Sequence, residues 1–269
     1  MLDVMLPFLA RPGNASSVDH VFGRMAREAV EHARVQVAAL IGASPKEIVF
    51  TSGATEANNL ALKGVAGRAT GAARHIVTAV TEHPSVLEVC ARLEADGMEV
   101  TYLPVDAGGR VDPEQVRAAI RSETIVVTVM AANNEIGTLQ PIAPIAQLAR
   151  ERGVPFHTDA AQAAGKIPLD TGTDAIDLMS LSAHKMHGPQ GAGALYVRSR
   201  PLVRLEPLQH GGGQERGLRP GTLNTAAIVG FGAAADIAAR EMAAESARLA
   251  ALRDDLLARL REAVPGITV

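Results

Sequence analysis

Three short runs between residues 154 and 197 decide the fold: VPFHT (154–158), IDLMSL (176–181) and GALYV (193–197). Each is rich in apolar residues and too short for a buried helix, which is typical of a strand in a covered sheet. Upstream, four more runs of this kind alternate with longer segments of helical periodicity. This alternation predicts an α/β fold with a mainly parallel sheet.

The predicted sheet has seven strands, with helices between and after them. The strands are expected at 47–51, 75–80, 99–104, 125–131, 154–158, 176–181 and 193–197. The helices are expected at 18–41, 56–65, 84–96, 113–121, 142–152 and 226–264. Pro84 and Pro113 would stand in first helical turns, where proline is tolerated. The last helix is expected to stop at Pro265, and residues 267–269 resemble the first residues of another strand.

Composition and charge favour a globular, cytoplasmic protein. The 269 residues are 47% hydrophobic, which suffices for a sizeable core. Twenty-six Lys and Arg against 29 Asp and Glu give a net charge of −3, without the basic stripe that would favour nucleic acid. The single cysteine excludes an intramolecular disulfide. No run reaches the length of a membrane span, and the start MLDVMLPFLA does not resemble a signal peptide.

Two charged residues stand at the ends of neighbouring strands. Asp159 follows FHT, and Lys185 follows LMSLSAH at the end of the next strand. Ligands collect at the carboxyl ends of parallel strands, so both side chains are expected at one edge of the sheet. A buried carboxylate needs a partner such as a protonated pyridinium nitrogen, and a partly desolvated lysine forms an imine with an aldehyde. Taken singly, Asp159 could be a helix N-cap and Lys185 a solvated loop lysine. Taken together, and with the loops described next, the two residues indicate a site for pyridoxal 5′-phosphate (PLP).

Four further loops carry candidate binding groups, three of them with a plainer alternative. SGATE (52–56) leads into a helix whose free N–H groups, with the Thr55 hydroxyl, would hold a phosphate, although a plain N-cap has the same composition. His83 would stack on a flat ring and relay a proton, or bond to backbone at a helix start. An amide in NNEIG (133–137) would donate to a phenolic oxygen or a substrate carboxylate. The glycine loop HGGGQERGLRPGTLN (210–224) offers two arginines for phosphate or carboxylate, or is a surface loop.

A metal site is not predicted. His184 and His187 lie three residues apart, as some metal ligands do. No third ligand with suitable spacing stands out in the sequence, so a zinc-type site lacks its minimum set of ligands.

Six phrases of the sequence resemble the cysteine desulfurases, a group within the class-V aminotransferase-like PLP enzymes. The phrases are FTSGATEANNLALKG (50–64), TEHPSVLEVC (81–90), NNEIGTLQPI (133–142), FHTDAAQAAGKIPLD (156–170), DLMSLSAHKMHGPQGAGALYVR (177–198) and HGGGQERGLRPGTLN (210–224). The similarity runs from Gly13 onward, and phrases of this length in this order are specific. It implies a homodimer of fold-type I subunits, each with a seven-stranded large domain in which one strand is antiparallel.

The resemblance also assigns a role to each candidate residue. Lys185 is implied to be the Schiff-base lysine, and His83 to stack on the cofactor ring and handle protons. The other implied cofactor contacts are Asp159 at the pyridine nitrogen, Asn134 and Gln162 at the phenolic oxygen, Ala54, Thr55, Ser182 and His184 at the phosphate, and Thr222 at the phosphate of the neighbouring subunit. Members of the family convert L-cysteine to L-alanine and store the sulfur as a persulfide on an enzyme cysteine. The sulfur serves iron–sulfur cluster assembly or tRNA thiolation through an acceptor protein.

The sequence departs from the family at both ends. From the resemblance, we expect this sequence to lack the opening strand and loop of the family pattern, and the small C-terminal domain with the nucleophilic cysteine. We therefore expect residues 1–223 to form the PLP-binding large domain, and 224–269 a long connecting helix with the first residues of the absent domain. Cys90 is not expected to replace the nucleophile, because helical periodicity assigns it to an apolar face.

Two other functions stay open. The first is a sister activity, as a selenocysteine lyase or another class-V lyase or aminotransferase. The second is a non-catalytic PLP-binding module that dimerises with a full-length partner. Residues beyond 269 would separate these possibilities from a desulfurase.

Overall fold

Seven strands form a single sheet in a computed structural model that describes residues 1–71, 73–264 and 266–267. The strands are β1 (Ile48–Thr51), β2 (His75–Ala79), β3 (Glu99–Leu103), β4 (Thr124–Thr128), β5 (Phe156–Asp159), β6 (Leu178–Ser182) and β7 (Gly193–Val197). The helices are α1 (Leu2–Ala10), α2 (Val21–Leu40), α3 (Ala54–Ala66), α4 (Pro84–Ala95), α5 (Pro113–Ala119), α6 (Ile142–Glu151) and α7 (Thr225–Ala263).

The strand order is β1-β7-β6-β5-β4-β2-β3. β7 runs antiparallel to both β1 and β6, and the remaining neighbours are parallel. The predicted seven-stranded, mainly parallel sheet with one antiparallel strand is confirmed. All strands except β7 therefore end at one edge, and the loops that follow them meet there.

Apolar side chains are buried on both faces of the sheet. In β1, Val49 belongs to a core that includes residues of α3 and α4, whereas Ile48 and Phe50 belong to a core that includes residues of α2, α6 and α7. Successive strand residues point to opposite faces, so burial on both sides requires runs without polar alternation. This explains why the strands are visible in the sequence as short continuous apolar segments.

Two helix starts differ from the prediction by more than one residue, and the α-helix α1 was not predicted. α2 begins at Val21, and His20 is its N-cap, with a side chain that accepts a hydrogen bond from the Gly23 amide. α3 begins at Ala54, so that Thr55 lies in its first turn rather than in the preceding loop. α1 has no buried residue and contains Pro7, so it lacks the amphipathic pattern that reveals a helix. It packs against α7, which the sequence does not foretell.

Helix α7 is 39 residues long, about 58 Å at 1.5 Å per residue. Its first three turns are buried against the sheet and α2, where the Phe231 ring meets Phe50 edge-on at 6.4 Å. Beyond Ala235 the helix is largely exposed. The division at residue 224 stays a prediction, and Thr268 and Val269 of the expected extra strand lie outside the described residues. Among the described residues, no helix combines the length and apolar composition needed to cross a membrane.

An ion pair covers the outer edge of β1. Both terminal guanidinium nitrogens of Arg34, Nη1 and Nη2, donate to the buried Glu215 carboxylate, at 2.8 and 2.7 Å. The pair also bonds to backbone groups of the edge strand β1. Arg34 donates to the Ile48 carbonyl at 3.0 Å, and Glu215 accepts from the Phe50 amide at 2.7 Å. Glu215 and Arg216 adopt left-handed φ angles of 45° and 59°, which are strained for residues other than glycine. The ion pair thus holds the 210–224 loop in a conformation that it would not adopt alone.

A buried histidine makes the stability of the fold depend on pH. His157 in β5 lies between the hydroxyls of Thr128 and Ser180, at 2.8 and 3.0 Å, and burial lowers its pKa to about 3. Its unfolded pKa is about 6.5. The neutral ring therefore stabilises the fold above pH 6.5, and this contribution is lost as the pH falls towards 3.

We expect the free energy of unfolding to fall between pH 6.5 and 4 by up to roughly 1 kcal/mol per pH unit because of His157. Urea unfolding at several pH values measures this slope. His157→Gln, which keeps a polar side chain, should flatten the slope relative to the unchanged protein. Equal slopes in the two proteins would show that His157 is not responsible.

Candidate active site

A cavity of about 460 Å³ opens where the loops after β1, β2, β4, β5 and β6 meet. This volume suits a small organic cofactor. Nine of the ten predicted site residues line it, namely Ala54, Thr55, His83, Asn134, Asp159, Gln162, Ser182, His184 and Lys185. The tenth, Thr222, is exposed in the 210–224 loop and is not among the lining residues. Its implied contact with a neighbouring subunit remains a prediction.

One end of the cavity is the start of α3. Ala54 and Thr55 form its first turn, and a Cβ added to Gly193 would lie 2.5 Å from the Gly53 Cα, so β7 and this loop touch backbone to backbone. Free N–H groups at a helix start favour an anion. Ser182 and His184 face the same end, and their Oγ and Nδ1 atoms lie 3.0 Å apart.

Glu56 holds the loop before α3 in place. Its carboxylate accepts from the Ser52 amide at 2.7 Å and from the Arg219 Nε at 2.9 Å. Burial alone would raise the pKa of Glu56, but the hydrogen bonds from Arg219 and Ser52 hold it below its ordinary value. The pair ties the 210–224 loop to the start of α3.

Asp159 also lines the cavity, as the last residue of β5. Its side chain is almost fully buried, with 5% of the residue exposed. Oδ1 accepts from the Ala161 amide at 2.9 Å, and Oδ2 accepts from Asn58 Nδ2 at 2.7 Å. A buried carboxylate oriented by two donors is a suitable partner for a protonated ring nitrogen.

A second acid, Glu82, is buried close to Asp159. Its Oε1 accepts from the Met130 amide at 2.6 Å, whereas its Oε2 has no hydrogen-bond partner among the described residues. Burial raises the pKa of Glu82 well above its usual range, and the charge of Asp159 adds to the rise. The raised pKa disfavours a second negative charge beside Asp159.

His83 both caps a helix and lines the cavity, whereas its sequence position suggested these two placements as alternatives. It is the N-cap of α4, where its Nδ1 accepts from the Ser85 amide at 3.1 Å, and it also lines the cavity. The Ser85 hydroxyl lies 2.8 Å from the same nitrogen. This leaves Nε2 as the ring nitrogen for the cavity.

Lys185 differs from its predicted surroundings in two ways. It lies in a 3₁₀ turn, Ala183–Met186, rather than in an open loop, and its side chain is exposed rather than partly desolvated. A second lysine lies nearby: partial burial, and then the charge of Lys185, lower the pKa of Lys166. Lys166 donates to Gln162 Oε1 at 2.7 Å. The described residues include no group of three His, Cys, Asp or Glu that is arranged to hold a metal ion.

The two asparagines of NNEIG have different environments. Asn133 is buried and donates to the Thr81 carbonyl at 2.9 Å, so it organises its own loop. Asn134 is exposed at the cavity, with its amide directed to Glu135 at 2.8 Å. Asn134 is therefore the amide of the two that a ligand in the cavity would meet.

Asn58, Ser85, Glu56 and Glu82, which surround the site, were not predicted from the sequence. Asn58 is fully buried on the face of α3 that also buries Ala61 and Leu62. A polar residue in an apolar helical stripe signals a buried partner, so this position was detectable. The identity of the partner was not, because Asp159 lies 101 residues further along the chain.

Cys90, the sole cysteine of the sequence, is fully buried in α4. Burial raises its pKa to about 12, and the charge of Glu82 contributes to the rise. The thiolate is the nucleophile, so this side chain is unreactive in the folded protein. Its predicted place on an apolar face agrees with its packing against Val86, Val89 and Leu93 in the same core.

We expect iodoacetamide at pH 8 to alkylate Cys90 at least about a hundredfold more slowly in the folded protein than in urea, because burial suppresses both access and thiolate. Mass spectrometry at timed intervals measures the two rates. The urea sample is the matched control, since it contains the same single thiol. Similar rates in the two conditions would contradict the burial of Cys90.

The chain is similar to known proteins along its whole length. The family model for aminotransferase class-V matches residues 1–269. A cysteine desulfurase of Rattus norvegicus is 51% identical over 270 residues, which cover all of this chain and 60% of that protein. The chain thus spans about 60% of the length of the curated relatives it matches.

Two solved structures share the fold. A NifS-like protein is 41% identical, with a TM-score of 0.93, over 97% of this chain and 72% of that one. A structure of SspA in complex with cysteine is 46% identical, with a TM-score of 0.84, over 87% of this chain and 68% of that one.

Proposed function

Because this chain belongs to the class-V aminotransferase family and, within it, to the cysteine desulfurase group, we propose that it carries the PLP site of a cysteine desulfurase. The observation that supports this most strongly is the shared cavity of Asp159, Lys185 and the start of α3. A carboxylate, a primary amine and an anion-binding helix start are the three groups that a phosphorylated pyridine aldehyde needs.

The side chains present fit PLP. Lys185 would bind the aldehyde, Asp159 the pyridine nitrogen, and His83 the ring face. The groups that would hold the remaining oxygens are Asn134 and Gln162 at the phenol, and Ala54, Thr55, Ser182 and His184 at the phosphate. Two features of this site are already in place without a ligand. Donors from Asn58 and the Ala161 amide orient the Asp159 carboxylate, and N–H groups lie at the start of α3. When bound, PLP supplies an electron sink for charge that develops on the substrate.

The proposed reaction transfers sulfur from L-cysteine to a thiol. The carbon–sulfur bond of the substrate breaks, a sulfur–sulfur bond forms at the acceptor, and the carbon gains a proton, giving L-alanine and a persulfide. Lys185 and His83 are the groups in the cavity that would move protons at the substrate. Cys90 is not the acceptor, because it is buried and protonated.

The same proposal includes a homodimer, an acceptor and a location. Thr222 is exposed outside the cavity of its own chain, as a contact to a second subunit would require. Helix α1 and the first turns of α2 expose apolar side chains that fit a subunit contact, namely Leu2, Leu6, Leu9, Val21, Phe22 and Met25. An iron–sulfur scaffold or another acceptor protein would take the sulfur. A cytoplasmic location fits a protein with one reduced cysteine.

To test the proposal, the PLP-loaded chain is incubated with L-cysteine and dithiothreitol as sulfur acceptor, and L-alanine is measured by amino-acid analysis. We expect L-alanine from L-cysteine and none from L-serine, which has oxygen in place of sulfur. Without an added thiol, we expect no sulfide release. A PLP-loaded protein that yields L-alanine only from L-selenocysteine would replace the desulfurase with a selenocysteine lyase. One that acts on neither substrate would contradict both.

A further inference from the structure

A continuous chain of hydrogen bonds connects Asp159 to His83 beneath the cavity. Asn58 Nδ2 lies 2.7 Å from Asp159 Oδ2 and 2.8 Å from Ser85 Oγ. Ser85 Oγ in turn lies 2.8 Å from His83 Nδ1. The four residues come from α3, β5 and the start of α4, so the chain spans the base of the site.

The directions of these hydrogen bonds follow from the chemistry of the groups. A carboxylate only accepts, so the Asn58 atom facing Asp159 is the amide nitrogen, and its second hydrogen is directed to Ser85 Oγ. Ser85 Oγ accepts there and is left to donate its own hydrogen to His83 Nδ1. The Ser85 amide donates to the same nitrogen. With two donors directed at Nδ1, the proton of neutral His83 lies on Nε2, towards the cavity.

Asn58 is not explained by packing. It is fully buried, and its Oδ1 has no partner among the described residues. An unpaired buried carbonyl destabilises the fold, and an apolar side chain at this position of α3 would avoid that cost. The two donated hydrogen bonds are what the residue contributes.

We propose that Asn58 and Ser85 are positioning residues, which fix the Asp159 carboxylate and the Nε2-protonated form of His83 in one hydrogen-bonded frame. The frame rests on the proposed function for its use: it would orient both the carboxylate under the cofactor nitrogen and the imidazole over the ring. Neither residue is assigned a contact with the reacting atoms.

The first test needs no cofactor. Nitrogen-15 NMR of the histidine rings in the cofactor-free chain, with the His83 signals assigned by loss in His83→Gln, reports which ring nitrogen carries the proton. We expect an unprotonated Nδ1 and a protonated Nε2. Ser85→Ala should shift the Nδ1 signal, and Ser85→Thr, which retains the hydroxyl, should restore it. A protonated Nδ1 in the unchanged protein would overturn the proposal.

The second test asks whether Asn58 acts through Ser85. Asn58→Leu should shift the His83 Nδ1 signal when Ser85 is present and leave it unmoved in the Ser85→Ala background. Equal shifts in both backgrounds would indicate a general structural disturbance and contradict the frame. If Asn58→Leu does not fold, the Ser85→Ala and Ser85→Thr pair decides the question.

The third test measures PLP binding by titration of the absorbance. A hydrogen bond to a charged acceptor corresponds to roughly a tenfold or larger change in affinity, so Asn58→Leu should raise the PLP dissociation constant by at least about tenfold. Ser85→Ala keeps the hydrogen bond between Asn58 and Asp159, so it should change the PLP dissociation constant by less than about threefold. Asn59→Ala is the matched control, because its amide donates to the Thr55 carbonyl of its own helix. A change below twofold in Asn58→Leu would refute the positioning of Asp159. Failure of the unchanged protein to bind PLP would refute the proposed function. The NMR measurements would still decide whether Asn58 and Ser85 form the hydrogen-bonded frame.

Discussion

Replacement of Lys185 by alanine is expected to abolish covalent binding of PLP and the visible absorbance that accompanies it. The reason is that Lys185 alone among the lysines of the described residues lines the cavity with Asp159 and the start of α3. Borohydride reduction of the loaded protein, followed by peptide mass spectrometry, should find the label on Lys185 in the unchanged chain and nowhere in Lys185→Ala.

Lys166→Ala is the control for this experiment. Lys166 is close enough for the charge of Lys185 to lower its pKa, so it is the alternative amine. It nevertheless bonds to Gln162 and does not line the main cavity. Lys166→Ala should therefore keep the visible band, and survival of that band in Lys185→Ala would refute the assignment of the cofactor lysine.

Replacement of Arg34 by methionine is expected to destabilise the fold by about 3–5 kcal/mol, because it leaves the Glu215 carboxylate buried without its cation. Only 2% of the Glu215 side chain is exposed, so water does not compensate for the loss. The variant also removes the donor to the Ile48 carbonyl at the edge of β1. Urea unfolding measures the change.

Arg92→Met is the matched control, since Arg92 forms an exposed ion pair with Asp96 within α4 and should change stability by less than about 1 kcal/mol. The double variant Arg34→Met/Glu215→Gln removes both charges and should recover part of the lost stability. A loss below about 1 kcal/mol in Arg34→Met would show that the buried pair is not important for the fold.

The sequence predicted the sheet and the cavity because both are encoded locally. Each strand is a short apolar run, and Asp159 and Lys185 directly follow two of them, so parallel packing suffices to bring them to one edge. Some helix limits shifted by a few residues, at α2 even though the His20 side chain caps its start, and at α3 where no side chain marks the boundary. Gly53, for example, caps α3 without a side-chain hydrogen bond, so the sequence gives no sign that the helix starts at Ala54.

The partners of Asn58 and Arg34 were not predictable, because they are distant along the chain. Asn58 meets Ser85 and Asp159 at separations of 27 and 101 residues, and Arg34 meets Glu215 at 181. Only the folded sheet determines these distances. α1 was missed for a different reason: its side chains are exposed, so its sequence carries no buried stripe.

The length of α7 has a mechanical consequence. Ser246 hydrogen-bonds to the carbonyl of Lys166 at 2.6 Å, and from there to Ala263 the helix extends about 26 Å. The part of α7 beyond Ser246 projects from this contact with Lys166, and a tilt of the helix would pivot there. A tilt of about 10° displaces its tip by about 4 Å. A displacement of the outer part of α7 would therefore act first on the Ser246–Lys166 hydrogen bond, beside the pocket that Lys166, Lys185 and α7 line together.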